Sequence, residues 1–424
     1  MKRTLSLFLA CALGLPLLSG CSPSQAAAAR ELTAEPVKLT DAEQMKYGAD
    51  VSTVHAALAD FGLGLLQKTR EEEQGAVLIS PLSAALALSM AANGAQGDTL
   101  AQFEAVLGGG SSYEAVNWTC DGLRKVYQNL TGSTQCSIAN SLWLDPEGQI
   151  KNDFIGRCRG IYNAQVFQAE LSGAGIVKDL NGWVSDHTNK LIPKIIDEPF
   201  DEDAACLLVN ALYLKNRWAM EFSPGDTREM DFHHRDGSTS RTDFLSHFST
   251  QLSYLQGEGA QGAVLPYDDG RLAFFTLMPD MSPDSPSLED WLNTLEGDAL
   301  VRIIKNRTDI QFLQFDMPKF EADWSGNLKD VLTALGLEEA FDPAKADFSR
   351  LGDSRGGYYI SQVIHAAKIQ VNEKGTEAAA AAVAAVSGRG AAEPEGVTLI
   401  LDRPFLYGVV DLQFGVPLFL GTYE

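Results

Sequence analysis

Between Glu373 and Gly390 the chain reads EKGTEAAAAAVAAVSGRG, in which nine consecutive residues, Ala378 to Val386, carry no polar side chain and nothing larger than Val. Alanine is the best helix former, so a surface helix is one reading; a low-complexity linker is the other. Position argues against both, because the strand-like IHAAKIQVN (364–372) runs straight into Glu373, Lys374, Gly375 and Thr376. Read as a strand, the segment alternates: Thr376, Ala378, Ala380, Ala382, Ala384 and Val386 face one way, and Glu377, Ala379, Ala381 and Val383 the other. The first set has no charge and little bulk, so it can enter between existing strands and cover a packed core without burying an unpaired ion. Gly375 supplies a pivot.

Working outward, the first twenty residues carry Lys2 and Arg3 and then an apolar stretch too short and too interrupted by Gly and Pro to span a bilayer, which reads as a secretory signal. It ends in Leu18-Ser19-Gly20-Cys21, which looks like a bacterial lipobox. An ordinary cleaved signal with an accidental Cys is the alternative. On the lipobox reading the mature chain starts at Cys21 and is held extracytoplasmically on a membrane by acyl chains. Residues 22–44 are polar and Ala-rich with no hydrophobic period and read as a tether, leaving 45–424 as the folded domain. The formal net charge of −23 repels nucleic acid and anionic lipid headgroups and argues against either as a partner. Cys120, Cys136, Cys158 and Cys206 show no CxxC spacing and are too sparse for a disulfide scaffold; Cys206, inside AACLLVNALYL, reads as a core thiol.

Helical spacing runs from Tyr47 to Leu66. AVLISPLSAALALSMAANGAQGDT (76–99) reads as a short strand, a helix begun at Pro81, and a Gly-rich stop, with Asp98 placed to cap the next helix. SIANSLWLD (137–145) alternates as a strand, residues 179–192 have helical periodicity, and CLLVNALYLKNRW (206–218) is an apolar strand of the buried kind. The latter half is strand-rich without regular βαβ alternation, so the fold class is α+β with large sheets.

Catalytic motifs are weak. Gly352-Asp353-Ser354-Arg355-Gly356 matches the nucleophile-elbow pattern, but a strand follows it where a helix is required, so it reads as a polar surface loop. His233 and His234 sit beside a turn with no ligands at metal spacing and read as a surface hairpin. Neither a metal nor a cofactor is expected, and the protein is not expected to be an enzyme. The sequons at Asn117, Asn129 and Asn306 read as chance behind a lipobox.

With these segments in view, the chain resembles the serpin family throughout its mature length. EKGTEAAAAA matches the hinge of inhibitory members. VLISPLSAALALSMAANGAQGDT, VNALYLKNRWAMEF, MPKF, LKDVLTALGL, AFDPAKADFS, DRPFLYGVVD and PLFLGTY match further segments in family order. The departures are the lipobox and tether in front and a loop a few residues longer than usual after Arg389. The resemblance implies a serpin fold with an exposed reactive-centre loop at about 373–398, acting as a monomeric suicide inhibitor of serine proteases. The protease is acylated on its own Ser and the cut loop inserts into the main sheet. From Gly375 to Arg389 the strand would reach roughly 50 Å, comparable to the body's diameter. Glu373, Gly375, Thr376, Glu377, Ala378, Ala379, Ala380 and Ala382 are then the hinge. The family's spacing puts the scissile bond after the seventeenth residue from Glu373, between Arg389 and Gly390. Arg389 is the only cation between Lys374 and Arg403, which points to a trypsin-like target. Cleavage after Ala385 or Val386 would instead suit an elastase-like or a cysteine protease. A non-inhibitory member that binds a ligand or partner is the other alternative, and the small residues from Thr376 to Ala382 speak against it. By the same resemblance Ser80, Ser83, Asn210 and His365 form a polar cluster beneath the centre of the main sheet, and Trp218 marks the loop's entry point.

Overall fold

The computed structural model describes residues 29–73, 75–280, 285–376 and 396–424. Cys21, Glu377, Ala378, Ala379, Ala380, Ala382, Arg389 and Gly390 lie outside them, as does the signal segment. In chain order the strands of the first half are β1 (Ala29–Leu32), β2 (Leu78–Ile79), β3 (Gln135–Leu144), β4 (Gly148–Ile150), β5 (Gln165–Ala169), β6 (Cys206–Arg217), β7 (Arg228–His233) and β8 (Thr239–Gly257). Those of the second half are β9 (Ala260–Pro266), β10 (Leu272–Pro279), β11 (Thr308–Pro318), β12 (Phe320–Asn327), β13 (Gly352–Ser354), β14 (Gln362–Asn372), β15 (Gly375–Thr376), β16 (Val397–Ile400), β17 (Phe405–Asp411) and β18 (Pro417–Tyr423). The helices are α1 (Asp41–Tyr47), α2 (Val51–Glu72), α3 (Pro81–Ala92), α4 (Gly97–Gly108), α5 (Tyr113–Gln128), α6 (Asn152–Tyr162), α7 (Gly175–His187), α8 (Leu288–Thr294), α9 (Gly297–Lys305) and α10 (Lys329–Ala334).

The main sheet has seven strands in the order β1-β5-β3-β6-β15-β14-β12, and a nine-stranded sheet runs β16-β11-β8-β9-β10-β17-β18-β2 with β7 on β8. Both contain parallel and antiparallel pairs: β3 with β5 and β6 with β14 are parallel in the first, β11 with β16 in the second. β6 is buried along nearly its whole length, which is why its sequence is apolar rather than alternating. One of its faces, through Leu208, Leu212 and Leu214, joins the principal core, and the other, through Leu207, Val209 and Ala211, joins a smaller core closed by α7 (Ile176, Leu180, Trp183, Val184). α3 starts with Ser80 extended and Pro81 in the first turn, and every one of its residues is buried. A helix that is apolar all round belongs inside, and α3 lies beneath the sheet against β6, β3 and β18.

Three expectations need correction. The tether does not extend to residue 44: β1 pairs antiparallel with β5, and the arm after it is held by Val37 N–H to Gly156 O (2.9 Å) and by Arg159 Nη1 to Ala34 O (2.9 Å). Glycines on α6 make room for it, since a Cβ on Gly160 would lie 1.8 Å from Val37 O. The absence of a hydrophobic period hid this, because backbone pairing needs none. Gly352–Ser354 is not a loop but β13, paired with β4; no helix follows, so the strained turn that exposes a nucleophile is not formed. Asp98 sits inside the first turn of α4, whose N-cap is Gln96, so it is not the capping residue. Asn117, in a sequon, is 1 % exposed and bonded to Asn93, so it presents no acceptor for a glycan.

Candidate functional site: a strand slot in the main sheet

The turn between β14 and β15 is held by four hydrogen bonds, two from Trp218, one from Phe222 and one within the turn. Trp218 donates its backbone N–H to Lys374 O (2.9 Å) and its indole Nε1–H to Asn372 O (2.8 Å), Phe222 N–H reaches Glu373 O (2.7 Å), and Lys374 N–H reaches Asn372 Oδ1 (3.0 Å). Trp218 is itself fixed by a stacked Tyr267 at 4.9 Å and edge contacts with Phe222 and Phe274. The Glu373 carboxylate accepts from Thr227 Oγ1 and Lys319 Nζ, both at 3.0 Å. Burial pushes this carboxyl up, but its backbone, Lys319 and Thr227 hydrogen bonds together more than reverse that and leave it below the usual carboxylate range. Gly375 lies flat against β6, where a Cβ would sit 2.0 Å from Asn216 O. No other residue fits there.

β15 is two residues long and is already inside the sheet. Gly375 and Thr376 pair with Arg217 and Asn216 of β6 on one side and with Asn372 and Val371 of β14 on the other, and Thr376 is 0 % exposed. Lower down, β14 and β6 pair directly, Gln362–Ala366 against Leu207–Ala211. Between these zones Ala367–Gln370 of β14 has no strand partner on the β6 side among the described residues. Among the described residues, then, β6 and β14 are joined above through β15 and below directly, with a four-residue stretch between in which they do not pair with each other.

At the closed part sits a polar cluster in an otherwise apolar layer. His365 accepts from Ser80 N–H at Nε2 (3.0 Å), so its proton is on Nδ1, which donates to Asn210 Oδ1 (3.1 Å). Asn210 Nδ2 donates to Ser83 O (2.6 Å) and to Asn140 Oδ1 (2.7 Å), and Ser80 Oγ donates to Leu418 O (2.8 Å). Ser83 thus enters through its carbonyl; its hydroxyl has no hydrogen-bond partner among the described residues. Burial pushes the imidazole down to about 4, in keeping with a neutral ring. The cluster ties β14, β6 and β3 to the start of α3 and, through Leu418, to β18 in the second sheet. It is a polar latch across the strands that would have to part.

Sequence reasoning missed Asn140, Lys319 and Thr227. Asn140 is an amide on an inward position of an apolar strand, a pattern that could have found it. Lys319 stands in MPKF, but nothing local to Thr227 or Lys319 names Glu373 as their shared partner. Among the described residues no group of His, Cys, Asp and Glu could hold a metal ion, and Cys120, Cys136, Cys158 and Cys206 are free thiols. Burial pushes Cys120 and Cys136 up to about 12 and the other two higher still.

Such a site defines a class of α+β protein in which a two-residue strand, β15, sits between β6 and β14 at one end of the main sheet. Comparison with known proteins agrees. Residues 56–424 match the family model described as Serpin (serine protease inhibitor), and the chain belongs to the serpin family. Serpin-ZXA of Oryza sativa subsp. japonica is 31 % identical over 359 residues, covering 81 % of this chain and 89 % of that one. The native-state crystal structure of tengpin, a thermophilic serpin, superposes with a TM-score of 0.80 at 32 % identity, covering 92 % of this chain and 97 % of that one; its latent state gives 0.73. Human thyroxine-binding globulin complexed with its hormone shares the fold, with a TM-score of 0.79 at 20 % identity over 88 % of this chain and 98 % of that one. The fold is that of the serpins, a family generally of protease inhibitors rather than catalysts.

Proposed function

We propose that the protein is a suicide inhibitor of trypsin-like serine proteases, anchored through lipid on Cys21 to an extracytoplasmic membrane surface and acting as a monomer. The observation that carries the inhibitory reading is the half-open slot. Extending the β15 register sets Glu377–Ala380 opposite Lys215–Leu212 of β6 and Gln370–Ala367 of β14, two runs that pair outward with β3 and β12 and not with each other. Insertion along this register would begin without breaking any strand pair among the described residues. From Ala381 onward it must displace the direct β6–β14 pairs, and Ala382 would arrive between Asn210 and His365. Val386 would reach Cys206 at the bottom of β6, with Arg389 three residues beyond.

Side-chain direction fits the same path. Thr376 faces the principal core, so Ala378 to Val386 at every second position would lie over Leu214, Leu212, Asn210, Leu208 and Cys206. The alternate residues Ala381, Val383 and Ala385 would pass beneath α7, and none of these carries a charge. A protease held as an acyl-enzyme at Arg389 would be carried from the hinge end of the sheet to the opposite end, with the uncut sheet acting as the kinetic trap.

Mixing with trypsin is expected to give a covalent complex that survives boiling in detergent, together with a fragment beginning at Gly390. Arg389→Ala is expected to abolish it. Clean cleavage with no complex overturns the inhibitory reading, and a fragment beginning elsewhere overturns the assignment of Arg389. Mass analysis of the mature N-terminus tests the lipid on Cys21 separately.

A further inference from the structure

The arm that overturned the tether expectation also fixes where the chain leaves the body. Arg217 of β6 faces Gly375, so that end of the main sheet is the hinge end. At the other end of β6, Cys206 faces Leu144 of β3; Leu144 lies beside Gln168 of β5, and Ala169 faces Ala29 of β1. Ala29 is therefore at the end of the sheet opposite the hinge, a distance of roughly 40 Å along the twelve residues of β6. It is held there by Ala29 N–H to Asp179 Oδ2 (2.9 Å) and by Arg30 Nη2 to Gln168 Oε1 (2.6 Å), in addition to the four β1–β5 pairs.

We infer that the sheet end opposite the hinge is the membrane-facing surface of the anchored protein, and that the reactive loop is presented away from the bilayer. The inference rests on the proposed lipid at Cys21. Seven residues lie between Cys21 and Ala29, and the eight steps from one to the other cannot exceed about 28 Å. That is shorter than the sheet, so the exit end stays close to the lipid while the hinge end stands beyond the tether's reach. The lipid surface in question is its headgroup layer, met through a covalent anchor rather than through a basic or apolar patch. The surface around the exit is acidic on balance: Glu170, Glu198, Asp201, Glu202 and Asp203 are exposed, against the exposed Arg30 and a Lys194 that is paired with Asp197, and Phe200 N–H bonds Leu171 O beside the end of β5. Against anionic headgroups these groups hold the body off the surface, an effect that fades beyond about 10 Å in 0.1 M salt. A protease approaching from solvent then meets the loop first.

The test separates this geometry from the lipidation it assumes. The chain from Cys21 onward, with its Cys21 thiol coupled to a maleimide lipid in phosphatidylcholine vesicles, carries a thiol-independent fluorophore at position 147, in the turn after β3, or at position 221, beside the hinge. Cys21→Ser checks that no other thiol couples. Energy transfer to a headgroup acceptor is expected to be several-fold stronger from position 147 than from position 221. Equal transfer, or stronger transfer from position 221, overturns the orientation. An unmodified Cys21 in protein isolated from its own membrane fraction overturns the natural anchor and leaves the measured geometry standing.

Discussion

Thr376→Arg puts a guanidinium where the structure has a 0 % exposed hydroxyl between Asn216 and Val371, facing the principal core. An uncompensated buried charge costs several kcal/mol even after relaxation. The chain can avoid it only by expelling β15, which removes the seed for insertion. Full insertion of Glu377–Val386 would exchange five direct β6–β14 pairs for ladders on both flanks, a net gain on the order of fifteen hydrogen bonds, or about 15 kcal/mol at ~1 kcal/mol each. The variant is therefore not stopped by the final balance but by its first step. A penalty of about 4 kcal/mol at the top of the slot slows the onset roughly 10³-fold. Hydrolysis of the acyl-enzyme then wins, and the inhibitor becomes a substrate. Titrating trypsin and resolving the products by denaturing electrophoresis should show cleaved chain in place of covalent complex. Glu377→Gln is the control: that position would face Lys215 and Gln370, both half-buried, and the chain already carries a charge there. Unchanged stoichiometry for Thr376→Arg would refute the insertion argument, as would equal losses in both variants.

Other perturbations test the parts separately. His365→Ala strands the Ser80 amide and Asn210 Oδ1 in a fully buried site; a loss of about 2–4 kcal/mol is expected in urea unfolding, together with a shorter inhibitory half-life. Because the folded His365 pKa lies below the unfolded value of about 6.5, its contribution is complete above that pH and is lost as pH falls toward about 4, by about 3 kcal/mol; the urea midpoint should drop across this window, and less steeply in His365→Asn. Glu373→Lys sets like charges against Lys319 and should shift Trp218 emission, since Trp218 bonds the same turn, and adding Lys319→Glu should restore it. Gly160→Val drives a side chain into Val37 and should make the arm from Ala29 to Val37 cleavable by a nonspecific protease while the thermal transition moves only slightly.

Much of the fold was legible because its elements are long and their chemistry is local. The buried strand at Cys206–Arg217 and the helix begun at Pro81 each carry their own local signal. Of the hinge residues, Glu373, Gly375 and Thr376 are described, the last two as β15; Glu377 to Ala382 lie outside the described residues. Pairings that reach across the chain were not legible: Glu373 finds Lys319 and Thr227 at separations of 54 and 146 residues. The state of the sheet was also hidden. Nothing in the residues of β6 and β14 says that they touch at Ala366 and part at Ala367; that follows from where a two-residue strand happens to be seated. β1 escaped notice because an edge strand bound through its backbone needs no apolar stripe.

That edge strand also has a mechanical side. A pull on the chain ahead of Ala29 would act on β1 along its own axis and away from the sheet end. The four β1–β5 pairs then bear the load together, in shear, rather than opening one by one as in a peel. Behind them, Val37 lies wedged over Gly156 and Gly160 as a second stop. Such a tug would be spent on one edge of the sheet, and the slot beyond β6, three strands in from β1, would be spared the strain that opens it.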